Sequence, residues 1–76
     1  MAELKRPKQQ MPALVNDALK THGLEQAYKD RPPYQRNDYL WWINGAKQDT
    51  TKARRLSKML DELRQGHGYM GMEWNN

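Results

Sequence analysis

Five cations crowd into one short stretch: Lys47, Lys52, Arg54, Arg55 and Lys58 stand against Asp49 alone. The chain has 13 Lys and Arg against 9 Asp and Glu, a formal net charge of +4, so this stretch carries the whole excess. Side chains of this type hold anions. Arginine forks onto two oxygens of a carboxylate or phosphate, and lysine acts as a point charge. Thr51 sets a hydroxyl among them. In one reading, Lys47, Thr51, Lys52, Arg54, Arg55 and Lys58 form a site for an anion or an acidic partner, aided by free N–H groups at a helix start. In the other, the charges are offset within the fold: Lys58 by Glu62 at i,i+4, and Arg54 or Arg55 by Asp38 or Asp17. Charge runs on protein surfaces are usually solvated or locally paired, which favours the second reading.

Little else in the chain suggests chemistry. There is no cysteine, so neither a disulfide nor a thiolate metal site can form. His22 and His67 have no partner at metal-ligand spacing. Ser57 is the sole serine and has no base beside it. Asp61 and Glu62 are adjacent and do not face one another across a cleft. No catalytic residue, metal or cofactor is expected, and a chain of 76 residues offers little room for a buried cleft. The expectation is therefore a protein that is not an enzyme.

Trp41 and Trp42 cannot share one helix face, because successive residues lie about 100° apart. Trp42 falls with Tyr39, Ile43 and Ala46 on an apolar stripe, so Trp42 is expected in the core. Trp41 points away from it and, with Leu40 at the stripe's edge, is a candidate apolar contact for a partner.

These residues need helices to position them. Residues 1–11 are basic and aperiodic and read as a disordered arm. Pro12 opens a first helix with Leu14, Val15, Ala18 and Leu19 on its apolar side, and Gly23 closes it. Leu24 to Lys29 forms a short second helix that ends before Pro32 and Pro33. Pro33 suits the first turn of a third helix. Thr50 or Thr51 is the expected N-cap of a fourth, whose stripe is Ala53, Leu56, Met59, Leu60 and Leu63, with Gly66 as C-cap. Residues 67–76 are rich in glycine and are expected to form a mobile tail, despite Tyr69, Met70, Met72 and Trp74.

Tyr39-Leu-Trp-Trp-Ile43, Ala46-Lys47 and Thr51-Lys-Ala-Arg-Arg-Leu56 together resemble the bacteriocin-protection, YdeI/OmpD-associated family. Trp42, Ile43, Ala46, Lys47, Thr51, Arg55 and Leu56 match its pattern in place, and Pro12 to Leu19 resembles the opening of its module. The resemblance spans roughly residues 11 to 66 and implies a small helical module. The chain departs from it at Lys52, where the family usually has arginine, and at Asn44-Gly45, where it usually has helix formers. The family label supplies no mechanism.

The expected fold is all-α: a bundle of four short helices over residues 12–66, with an arm at 1–11 and a tail at 67–76. Its core should comprise Leu14, Val15, Ala18, Leu19, Leu24, Tyr28, Tyr39, Trp42, Ile43, Leu56, Met59, Leu60 and Leu63. The expected function is a small cytoplasmic interaction module with a protein partner. The alternative is a basic domain that binds nucleic acid without sequence preference through phosphate contacts. The apolar runs are too short for a membrane span.

Overall fold

A computed structural model describes residues 6–75. Four helices run in chain order: α1 Ala13–Thr21, α2 Glu25–Lys29, α3 Pro33–Asn44 and α4 Asp49–Gln65. A two-stranded antiparallel hairpin follows, β1 His67–Tyr69 and β2 Met72–Asn75. The protein is mainly helical, but the hairpin corrects the all-α expectation, and residues 67–75, read as a tail, supply its two strands and their turn.

The hairpin forms because the glycines fall where positive φ is needed. Gly66 caps α4 in the left-handed region at φ 80°. Met70 and Gly71 then take φ values of 52° and 83°. Two consecutive positive values are what the two-residue turn matched to strand twist requires. Gly68, at φ 89°, also sits so close to α4 that a Cβ there would lie 3.0 Å from Glu62 Oε2. Read in isolation, these glycines argue against helix; they argue equally well for a tight hairpin.

Other helix ends follow local rules. Pro33 occupies the start of α3, and Pro32 before it is extended. Gly45 caps α3, so the departure at Asn44-Gly45 ends that helix and leaves Lys47 in the connection to α4. The N-cap of α4 is Gln48, with no side-chain cap; Thr50 and Thr51 both lie inside the helix. Asp49 in its first turn suits the positive end of the helix dipole.

Val15 and Leu19 of α1, Leu24 and Tyr28, Tyr39, Leu40 and Ile43 of α3, and Leu56, Met59, Leu60 and Leu63 of α4 make one core. Three expected members sit elsewhere. Leu14 is 51% exposed, while Ala18 and Trp42 are only partly buried at the margin. A helix as short as α1 buries one side, and the Val15–Leu19 pair takes it at the expense of Leu14 and Ala18.

The segment read as a disordered arm lies, over residues 6–10, along α3. The Gln9 backbone N–H donates to Asn37 Oδ1 at 2.7 Å, and Asn37 Nδ2 donates to the Pro7 carbonyl at 3.0 Å. Arg6 pairs with Asp38 at 2.8 Å. Residues 1–5 lie outside the described residues.

Candidate functional site

A buried polar cluster comes first, because it sets the position of the hairpin. Glu62 is 4% exposed. Its Oε1 accepts from the Tyr39 hydroxyl at 2.6 Å and from the Met70 N–H at 2.9 Å; Oε2 accepts from the Gly71 N–H at 2.9 Å. Two successive turn amides thus clasp one carboxylate, the geometry of a backbone anion nest. Arg31, 4% exposed, donates Nη1 to the Gly68 carbonyl at 2.6 Å and to Gln35 Oε1 at 3.1 Å. Its Nη2 donates to the Glu62 carbonyl at 2.9 Å, and its guanidinium lies 4.4 Å from the Trp74 ring centroid. The Tyr69 hydroxyl donates to Asp38, and the Tyr69 ring stands edge-on to Tyr34 and Tyr39.

Three tyrosines in and around this cluster resist ionisation. Burial pushes Tyr28 up to about 12. Burial raises Tyr39 and Tyr69 as well, reinforced by the carboxylates of Glu62 and Asp38 that accept their protons' hydrogen bonds. In the unfolded chain a tyrosine ionises near its ordinary value of about 10. Above that pH the unfolded state binds fewer protons than the native state, so stability falls as pH rises. We expect full stability below pH ~10 and alkaline unfolding above it, followed by circular dichroism. A chain whose melting temperature stays level through that range would contradict these protonation states.

The hairpin, so fixed, forms one wall of a cleft against α4. The cleft has a volume of about 370 Å³ and is lined by Trp42, Thr51, Arg54, Arg55, Lys58, Met70 and Gly71. Helical spacing explains the gathering: Thr51, Arg54, Arg55 and Lys58 are related by three and four residues and share one face. Arg55 is held in place. Its Nη1 donates to the Trp42 carbonyl at 2.6 Å, and its guanidinium lies 5.5 Å from the Trp42 ring centroid. Arg54 and Lys58 are exposed.

Four of the six candidate anion-binding residues therefore meet in this cleft: Thr51, Arg54, Arg55 and Lys58. The other two do not. Lys52 lines a separate groove of about 530 Å³ between α1 and α4, with Leu14, Ala18, Leu56 and Leu60. Lys47 is exposed in the α3–α4 connection.

Internal pairing does not account for the cluster. Among the described residues the ion pairs are Arg6–Asp38 and Arg64–Asp61, the latter at 2.9 Å. Lys58 does not reach Glu62, whose carboxylate turns inward to the hairpin. Asp38 is taken by Arg6 and Tyr69. Like charges at i,i+4, as in Arg54 and Lys58, cost a few tenths of a kcal/mol when nothing neutralises them.

The apolar candidates part company. Leu40 is 5% exposed and belongs to the core, so it offers no contact surface. Trp41 is 41% exposed, with the Arg6 guanidinium 4.2 Å from its ring centroid. The hairpin folds against α4, and it is the N-terminal segment that approaches Trp41. We expect Trp42→Ala to cost about 1.5–3 kcal/mol, below the range for a fully buried aromatic. Trp41→Ala should cost about 1 kcal/mol or less, mostly the contact with Arg6. Equal losses in denaturant melts would mean the helix is phased differently.

Sequence reasoning missed Arg31, Gln35, Asp38 and Glu62 as buried residues. Arg31, Asp38 and Glu62 take partners from the hairpin, which was not expected, and Gln35 is hydrogen-bonded to Arg31 and Tyr34. Among the described residues no group of three or more His, Asp or Glu side chains could hold a metal ion, and no helix is long and apolar enough to cross a membrane.

Fold and cleft together define a small helical bundle with a hairpin strapped over it and, between the two, a cationic surface that no acidic side chain among the described residues pairs. The chain belongs to the bacteriocin-protection, YdeI or OmpD-associated family, whose model matches residues 8–66. No curated protein and no solved structure matches it.

Proposed function

We propose that this chain is a small, non-enzymatic interaction module of the cytoplasm that engages an anionic partner through the cleft between α4 and the hairpin. One observation carries the reading. Arg54, Arg55 and Lys58 converge on a single cleft that no acidic side chain among the described residues lines. Arginine-containing cationic clusters recognise acidic and phosphorylated motifs. Trp42 and Met70 add apolar surface on which such a partner packs.

The test is the binding of a fluorescent hexaglutamate peptide at low ionic strength, read by anisotropy. Saturable binding by the full chain is expected. Arg54→Glu/Lys58→Glu should weaken it by roughly tenfold or more, since each reversed charge removes one charge-assisted contact and adds a repulsion. Both positions are exposed, so the fold should persist. Unchanged binding by the variant would sink the proposal.

The same cations beside an aromatic ring support a second reading, nucleic-acid binding through phosphates. Three cations predict that affinity for random-sequence DNA falls with salt at a log–log slope of about −2 to −3. Affinity for DNA that exceeds that for the acidic peptide at matched salt would favour this reading.

A further inference from the structure

We propose that the cleft selects an aryl phosphate: a phosphotyrosine side chain on the partner, its ring between Trp42 and Met70 and its phosphate among Arg54, Arg55 and Lys58. This rests on the reading of the cleft as an anion-binding interaction surface and names what enters it.

Charge is the first reason. Three cationic side chains line the cleft, and no acid among the described residues does. A phosphate monoester carries close to two negative charges at neutral pH and offers three acceptor oxygens, where a carboxylate carries one charge and two oxygens. Three donors match the former better than the latter.

Shape is the second. A volume of about 370 Å³ is near the lower end of ligand-sized sites, ~300–1,000 Å³. That is room for one aromatic side chain with its phosphate. Trp42 and Met70 are its large apolar members. An aromatic ring packs well against an indole and against a thioether.

The third reason is the distance between the two kinds of wall. The Arg55 guanidinium is 5.5 Å from the Trp42 ring centroid and fixed by its bond to the Trp42 carbonyl. Cationic and aromatic surfaces therefore adjoin directly. That suits a ligand whose phosphate is bonded to its ring, and it suits a nucleotide less, since a ribose separates phosphate from base.

The experiment is an amide-shift titration of the ¹⁵N-labelled full chain with phenyl phosphate, inorganic phosphate, benzoate and adenosine monophosphate in turn. Phenyl phosphate should shift the Thr51–Lys58 and Met70–Gly71 amides saturably and bind roughly tenfold more tightly than benzoate, which has the ring without the dianion. It should also bind several-fold more tightly than inorganic phosphate. A short phosphotyrosine peptide should match it, and its unphosphorylated form should not bind.

Met70→Asn removes the thioether wall while keeping a residue that tolerates positive φ. It should erase the advantage of phenyl phosphate over inorganic phosphate. Arg54→Gln/Lys58→Gln should weaken both. If Met70→Asn disturbs the fold, the ranking of the four anions on the unaltered chain decides alone. Benzoate binding as well as phenyl phosphate overturns the inference and leaves a carboxylate-binding module standing. Adenosine monophosphate binding more tightly than phenyl phosphate overturns it in favour of a nucleotide. No saturable shift with any anion removes both this inference and the function on which it rests.

Discussion

Deleting residues 67–76 should lower the melting temperature by roughly 12–24 °C, at about 4–8 °C per kcal/mol for a domain of this size. The hairpin supplies partners that the helices cannot replace. Without it, Glu62 loses the Met70 and Gly71 amides, and Arg31 loses the Gly68 carbonyl. Each buried group left unmet costs about 1–3 kcal/mol. The Tyr69 ring also leaves its contacts with Tyr34 and Tyr39. Water entering the opened site recovers part of the loss, so about 3 kcal/mol is the expected net. A truncated chain melting within ~2 °C of the full one would show the hairpin to be independent of the cooperative unit.

Glu62→Ala should cost roughly 3–5 kcal/mol. It strands the Tyr39 hydroxyl and two turn amides at once. Glu62→Gln keeps the shape and one acceptor, and should cost about 1–2 kcal/mol. Lys58→Ala, by contrast, should change stability by less than ~0.5 kcal/mol, because Lys58 is exposed and does not pair with Glu62. The contrast separates the two accounts of Glu62. If Lys58→Ala and Glu62→Ala cost the same in urea melts, the i,i+4 ion pair read from the sequence is real and the hairpin clasp is not.

The helices were legible because their signals are local. Apolar spacing of three and four, proline at the start of α3 and glycine after α4 all act within a few residues. The hairpin was not. Its turn depends on Met70 in a conformation that methionine rarely adopts, stabilised by Glu62 from another element. That contact closes over eight residues of sequence and cannot be inferred from composition. Glu62 itself looked like a surface acid late in a basic helix, and only the turn amides explain its burial.

The cleft was half legible. Thr51, Arg54, Arg55 and Lys58 share a helix face by spacing alone, and the structure places them in one cleft. Lys52 departs because it lies about 100° round the helix from Thr51, towards α1. Lys47 departs because Gly45 ends α3 before it. Leu40 was read as an edge residue of a one-sided helix. In fact α3 is covered by the N-terminal segment on one side and by α4 on another. Few of its positions then remain for solvent.

Sulfate added to the ¹⁵N-labelled protein at low ionic strength tests the central claim most directly, since it reports where a dianion settles. The largest amide shifts should fall on Thr51, Arg54, Arg55, Lys58, Met70 and Gly71, and should saturate together. Shifts spread evenly over Lys8, Lys20, Lys29, Lys47 and Lys52, with the cleft no more affected than they are, would contradict it and leave only diffuse attraction to a basic protein.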